Sequence, residues 1–173
     1  MALQTEPRLA EVASLKSTEA VQRLAQGIIC GQWALAFSFD WARQIVERFE
    51  LSAIPKAPNW LLGSANVDGN IVPVIDLAKY FGNEVADPSQ GTQQRLLVGG
   101  LDGADADDAI ALVFVGLPTY LKYHTTLLSY PGALPVRLRE VCDGVAKDTR
   151  GRDYLEINIQ RLKALLTDEL MLL

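Results

Sequence analysis

Along the chain the spacing of large apolar residues changes character several times, and each change predicts a different element. In RLAEVASLKSTEAVQRLAQ, residues 8–26, Leu9, Val12, Leu15, Val21 and Leu24 recur mostly at three-residue intervals. That spacing predicts a helix, with Ser17 or Thr18 able to cap a second start. From Gly27 the period drops to two: in GIICGQWALAFSFDW the bulky Leu35, Phe37, Phe39 and Trp41 alternate with Ala34, Ala36, Ser38 and Asp40. Successive strand residues point to opposite faces, so the large groups share one. Gly31-Gln32 reads as the turn joining this strand to a short one at 27–30. Beyond Trp41, Ile45 and Phe49 fit a helix while Ile45, Glu47 and Phe49 fit a strand; a short turn followed by a strand is the preferred reading.

Pro55 and Pro58 interrupt any regular element, and Asn59 to Leu62 can form one helical turn before Gly63. Asp68-Gly69 then supplies the positive φ angles of a two-residue hairpin turn, between strands at 64–67 and 71–75. Pro73 cannot donate a ladder hydrogen bond, so its strand should lie at an edge or carry a bulge. Asp76 is placed to cap a short helix, Leu77 to Phe81, stopped by Gly82. After a polar loop at 83–94, RLLVGGL and AIALVFVGL read as apolar strands separated by LDGADADDA. VRLREVCDGVAKD and DYLEINI supply further strands across Arg150-Gly151. Asn158 caps a final helix containing Leu162, Leu165, Leu166 and Leu170. Many short strands with helices at the ends predict a mainly β, barrel-like fold.

At 173 residues and 49% hydrophobic content, the chain can bury one core or two small subdomains sharing one. Its formal charge of -5 argues against nucleic acid, whose phosphates demand a basic face. The basic residues from Arg137 to Lys163 are interleaved with Glu140, Asp143, Asp148, Asp153 and Glu156, which describes a mixed solvated surface. Cys30 and Cys142 lie in apolar strand-like surroundings that favour reduced, buried thiols. Glu6, Arg8 and Glu11 occupy the region where a signal peptide would be basic and then apolar, and no apolar run is long enough for a membrane span. A cytoplasmic protein without membrane insertion is expected.

Candidate chemistry is sparse. His124 is the single histidine, which excludes multi-histidine metal centres and histidine pair relays. No nucleophile elbow or phosphate loop occurs, and neither cysteine has an activating sequence neighbour. The acidic run Asp102, Asp105, Asp107 and Asp108 lacks the spacing and distal glutamate of a calcium loop and reads as a solvated hairpin loop. No catalytic group, metal or cofactor is expected, and the chain does not read as an enzyme.

The segment APNWLLGSANVDGNIVPVIDLAKYFG resembles the CheW-like domain, the coupling module of bacterial chemosensory arrays. Ala57-Pro58, Trp60, Gly63, Asn66, Gly69, Pro73, Asp76-Leu77 and Phe81 fall at that family's positions without a gap. The likeness extends more weakly through LAFSFDWARQI, RLLVGGL, AIALVFVGL and YLEINIQRLKALL, roughly residues 25–167. It implies two five-stranded SH3-like β-barrels sharing a core over 25–167, after an N-terminal helical extension at 1–24 and before a helix end at 168–173. It also implies two partners, the CheW-like regulatory domain of a CheA-type histidine kinase and the helical cytoplasmic tip of a chemoreceptor.

By ungapped extension, the family's receptor-contacting groove between the barrels falls at Phe39, Gln44, Ile45, Asp68, Leu96 and Leu117. Phe39 and Ile45 fit ordinary core packing equally well. Asp68 is a departure: the family usually places arginine before the hairpin glycine, and a reversed charge would reject a partner built for arginine. The first strand, AQGIICG, is poor in large apolar residues, and the hairpin expected near Val115-Gly116 lacks a customary acidic residue. These departures suggest a specialised member, for instance one serving type IV pilus motility. The function expected is therefore a non-enzymatic scaffold joining kinase and receptor. The alternatives are a divergent member that binds one partner and limits array assembly, or a small β-barrel hydrolase or ligand-binding protein.

Overall fold

The computed structural model describes residues 21–82, 93–100, 108–124 and 133–172. The strands run β1 (Gln22–Cys30), β2 (Trp33–Ser38), β3 (Ala42–Val46), β4 (Leu61–Val67), β5 (Asn70–Ile75), β6 (Gln94–Gly99), β7 (Ile110–His124), β8 (Cys142–Lys147) and β9 (Asp153–Ile157). Among the described residues three helices accompany them: α1 (Leu77–Tyr80), α2 (Val136–Val141) and α3 (Ile159–Met171).

One long strand organises the rest. Residues 110–115 of β7 pair with β6, and Val74 and Ile75 of β5 lie parallel to Ala111 and Leu112. Residues 119–124 of the same strand pair instead with β1. The first half belongs to a five-stranded array β3-β6-β7-β5-β4, the second to β7-β1-β2-β9-β8. Each array has its own apolar filling. Ala65, Val67, Val72, Val74, Leu96, Val98, Ala109, Ala111 and Val113 fill the first. Ala25, Ala36, Leu121, Tyr123, Ala146 and Tyr154 fill the second. A larger third cluster lies between them, where Ile28, Leu35, Phe37, Trp41, Trp60, Tyr80, Leu112, Phe114, Leu138 and Leu162 meet side chains from all three helices. The fold is thus two SH3-like β-barrels sharing a core. Their ladders do not close completely; a bridge between Ser52 and Ser64 brings the chain after β3 against β4 in the first barrel.

The β4–β5 hairpin shows how local chemistry fixes this arrangement. Asp68 and Gly69 have φ of 51° and 88°, the left-handed pair that a tight hairpin turn requires, and the Gly69 N–H donates to Asn66 Oδ1 at 2.9 Å. Counting from the turn, Val67 and Asn70 form a hydrogen-bonded pair, so Ser64 and Pro73 fall at a non-hydrogen-bonded one. The missing N–H of Pro73 therefore faces away from β4, and pairing to β7 begins only at Val74. Gly63 has φ of 148°, and a Cβ there would lie 2.5 Å from the Ser52 carbonyl oxygen, so the bridge needs glycine. The Asp76 carboxylate accepts from the Lys79 N–H at 3.1 Å and caps α1. Asp76→Ala is expected to lower stability by about 1 kcal/mol, read from a shifted urea midpoint at unchanged slope.

Four expectations are corrected. The helix expected over 8–26 has given way to strand by Gln22, which pairs with His124; residues 8–20 lie outside those described. The short strand at 27–30 accordingly extends back to Gln22. The chain does turn before Gly63, with the Leu61 N–H donating to the Pro58 carbonyl at 3.0 Å, but Leu61 is already strand. VRLREV is helix α2, because Leu138 and Val141 at i, i+3 both enter the shared core while Val136 stays exposed. The two cysteines are free and buried.

Tyr80 sits deep in the shared core, edge-on to Trp60 at 5.3 Å between ring centroids, with its hydroxyl donating to Glu169 Oε1 at 3.4 Å. Burial, reinforced by the Glu169 carboxylate, pushes its phenol up to about 12. The unfolded chain releases that proton near pH ~10. Since the folded value is raised, the contribution is fully present below pH ~10 and is lost as pH rises to about 12. Burial, with Glu156 beside it, pushes Tyr123 in the same direction. Urea titrations across this range will show stability falling with pH, and Tyr80→Phe will make the fall shallower.

Candidate protein-interaction surface

The chain passes between the barrels at two places, and both leave apolar groups at the surface. The first is the link from β2 to β3. The Trp41 N–H donates to the Ser38 carbonyl at 3.0 Å, and the Phe39 N–H donates to the Leu24 carbonyl at 3.1 Å. Phe39 is held half-buried at this corner. The second crossing is within β7, where the register against β1 moves from Gly27–Thr119 to Ile29–Val115. Residues 116–118 there stand against the single Ile28, a bulge with Gly116 at φ of 77°. Leu117 projects from it with 75% of its surface exposed. Just beyond, Tyr120 is 60% exposed and packs against Phe39 with ring centroids 5.3 Å apart. Phe39 and Tyr120 thus form an apolar ledge at the seam between the barrels, with Leu117 exposed three residues before Tyr120 on the same strand.

Gln44 and Asp68 form the polar end of the surface. Gln44 lies on β3 opposite Val98, and its Nε2 donates to Asp68 Oδ2 at 3.0 Å, tying the hairpin tip to the neighbouring strand. Asp68 stays exposed, and its partner here is a neutral amide, so its negative charge remains available to a second protein. Ile45 packs half-buried against the shared core. Leu96 is corrected: it is fully buried in the first barrel and can touch no partner. The structure therefore joins Gln44 to Asp68, leaves Phe39 and Leu117 accessible, and makes Ile45 and Leu96 chiefly packing residues.

Tyr120 escaped the sequence reading, although a signal was present. In PTYLKYH, Tyr120, Lys122 and His124 alternate with Leu121 and Tyr123, the period of a strand with one wet face. The structure confirms that Leu121 and Tyr123 are buried while Tyr120, Lys122 and His124 are exposed.

Groups with chemical potential are otherwise engaged in structure. Burial raises the Cys30 thiol far above its ordinary value, with Asp76 adding to the effect, and its Sγ lies 3.6 Å from the Val113 carbonyl. Such a thiol is not a nucleophile. Glu156 is 7% exposed and pairs with Arg23 through a 2.6 Å contact. Among the described residues no cluster of His, Cys, Asp and Glu could hold a metal, and no helix is long and apolar enough to cross a membrane.

Comparison with known proteins agrees with this architecture. Residues 27–165 match the CheW-like domain. Chemotaxis protein CheW of Thermotoga maritima is 37% identical over 49 residues, 28% of this chain and 32% of that protein, so the match spans about a third of the relative's length. The crystal structure of scaffolding protein TtCheW from Thermoanaerobacter tengcongensis superposes with a TM-score of 0.59 at 17% identity, covering 82% of this chain and 87% of that one. That likeness speaks to the fold, while the match over residues 27–165 covers most of the sequence: the chain belongs to the CheW-like domain family.

Proposed function

We propose that this protein is a non-enzymatic adaptor in a bacterial chemosensory pathway, coupling a CheA-type histidine kinase to chemoreceptors. The kinase is engaged through its own CheW-like regulatory domain, and the receptor through its helical cytoplasmic tip. The observation that carries this reading is the surface itself. A ledge of exposed Tyr120 against half-buried Phe39, the exposed Leu117 and an exposed carboxylate at Asp68 stand on a two-barrel frame, in a chain that belongs to a coupling family. Aromatic residues at a desolvated centre are what a protein partner uses. Interfaces at or below the standard ~1,600 Å² and modest affinities suit this role. The adaptor acts in the cytoplasm, with residues 25–167 as the coupling unit, and its departures from the family pattern favour a specialised pathway such as pilus motility.

Asp68 supports a second reading, that receptor binding is altered or lost and the protein engages the kinase alone. A carboxylate where the family has arginine rejects a receptor shaped for arginine. Titration of wild type and Asp68→Arg with the cognate receptor tip separates the readings. A receptor matched to Asp68 will bind wild type about tenfold or more tightly than the variant. A tip that binds only the variant supports the one-partner reading, and equal binding to both removes Asp68 from the interface.

A further inference from the structure

We infer that the β8–β9 turn and the second half of β7 form a docking cleft, adjoining the ledge at Tyr120, for an acidic peptide segment that also carries apolar side chains. The cleft is open, about 710 Å³, and lies between Thr119 and Tyr120 on one side and Arg150 and Arg152 on the other, over Tyr154. It adjoins the apolar ledge at Tyr120 and is set apart from it by Arg150 and Arg152, which the kinase and receptor readings do not use.

Its cations are unspent. Asp148, which lines the cleft beside them, is committed to the turn's backbone: its Oδ1 accepts from the Arg150 and Arg152 N–H groups, both at 2.8 Å. The acids on β8 and β9 are also committed, Asp143 to Arg161, Asp153 to Lys147 at 3.3 Å and Glu156 to Arg23 at 2.6 Å. Among the described residues neither Arg150 nor Arg152 has a carboxylate partner, and both are exposed. Two guanidinium groups without acids stand out in a chain of net charge -5. Each offers a planar fork matched to a carboxylate.

The frame holding them is pre-organised. The Asp148 N–H donates to the Arg152 carbonyl at 2.9 Å, and the Gly151 N–H to the Asp148 carbonyl at 3.1 Å. The Tyr154 hydroxyl meets Thr119 Oγ1 at 3.3 Å and ties the floor to the facing strand. A turn fixed by its own backbone loses little entropy on binding. Charge complementarity alone would admit a small anion. The wall argues for a longer occupant, because Tyr120 is 60% exposed and continues into Phe39, apolar surface that a phosphate cannot use.

The test uses the full chain and a fluorescein-labelled peptide of mixed glutamate and leucine residues. Its affinity is followed by anisotropy and its footprint by amide chemical shifts. Wild type is expected to bind with shifts centred on residues 118–120 and 148–154. Arg150→Glu/Arg152→Glu is expected to bind about tenfold or more weakly, as like charges face each other. Both side chains are exposed and the turn's bonds are made by backbone, so the variant keeps its fold, which circular dichroism checks. Tyr120→Ala should weaken binding as well. Equal affinity for wild type and the double variant overturns the proposal, as does the absence of peptide binding. Inorganic phosphate reproducing the same shifts while the peptide has no effect overturns it in favour of a small-anion site. An all-glutamate peptide binding as tightly as the mixed one overturns the apolar half of the claim.

Discussion

Phe114→Ala will lower the stability of the protein by about 4 kcal/mol and will do so for both barrels in one transition. Phe114 is 2% exposed and lies in the cluster that the barrels share, on the half of β7 that pairs with β6. Truncating it removes a buried ring and leaves a cavity that a close-packed core cannot fill. Since β7 continues without interruption into the second barrel, neither barrel can unfold while the other keeps its full set of strands. Trp41 and Trp60 report the shared core by fluorescence, and far-ultraviolet circular dichroism reports the strands. Their denaturation curves should coincide in wild type and shift together in the variant. Two separated transitions would contradict a shared core. Leu117→Ala, three residues along the same strand but 75% exposed, should change stability by less than about 0.5 kcal/mol.

Gly99→Ala is expected to cost about 3 kcal/mol through the opposite error, too much matter in a closed space. Gly99 pairs with Ala42 where β3 meets β6, and the Trp41 ring lies directly over it. A Cβ at Gly99 would come within 2.3 Å of Trp41 Cε2 and 2.5 Å of the Trp41 carbonyl oxygen. A ring can turn aside, but a backbone oxygen moves only if β3 moves with it. Displacing β3 also displaces Gln44, whose amide holds Asp68, so under the proposed receptor contact the variant should lose receptor-tip affinity along with stability. Thermal denaturation reads the first effect and titration the second. An unchanged melting temperature would show that β3 is not clamped there.

How far the sequence disclosed this molecule depended on how local each signal was. The β4–β5 hairpin, the Asp76 cap and the Asn158 cap are each specified within a few residues. Asp68-Gly69 forms the turn, Asp76 holds the Lys79 N–H, and Asn158 Oδ1 accepts from the Arg161 N–H at 3.1 Å. The two faces of β2 are specified by distant partners. Leu35 and Phe37 were legible as an inward set, but Ala36 is equally buried, in the second barrel beside Tyr123 and Tyr154. Its small size is complementary to large tyrosines far away in sequence. Gly27 follows the same logic, since a Cβ there would lie 2.8 Å from the Tyr154 ring.

The site was less legible than the fold for a related reason. Leu96 and Leu97 are adjacent and both buried, one facing the first barrel and the other the shared core. An ungapped alignment places a leucine at a family contact without revealing that both strand faces are covered. Tyr120 was missed because the strand AIALVFVGL was read only to Leu117, with a hairpin near Val115-Gly116, whereas β7 runs on through a bulge there to His124. The Gln44–Asp68 bond joins two candidates that the sequence could name but not connect.

The most direct test of the adaptor reading is calorimetric titration of the folded protein with the regulatory domain of its cognate CheA-type kinase. Saturable association is predicted, weakened when exposed seam residues such as Leu117 are replaced by charged ones. A protein that keeps its cooperative unfolding transition yet gives no association with that domain would contradict the account.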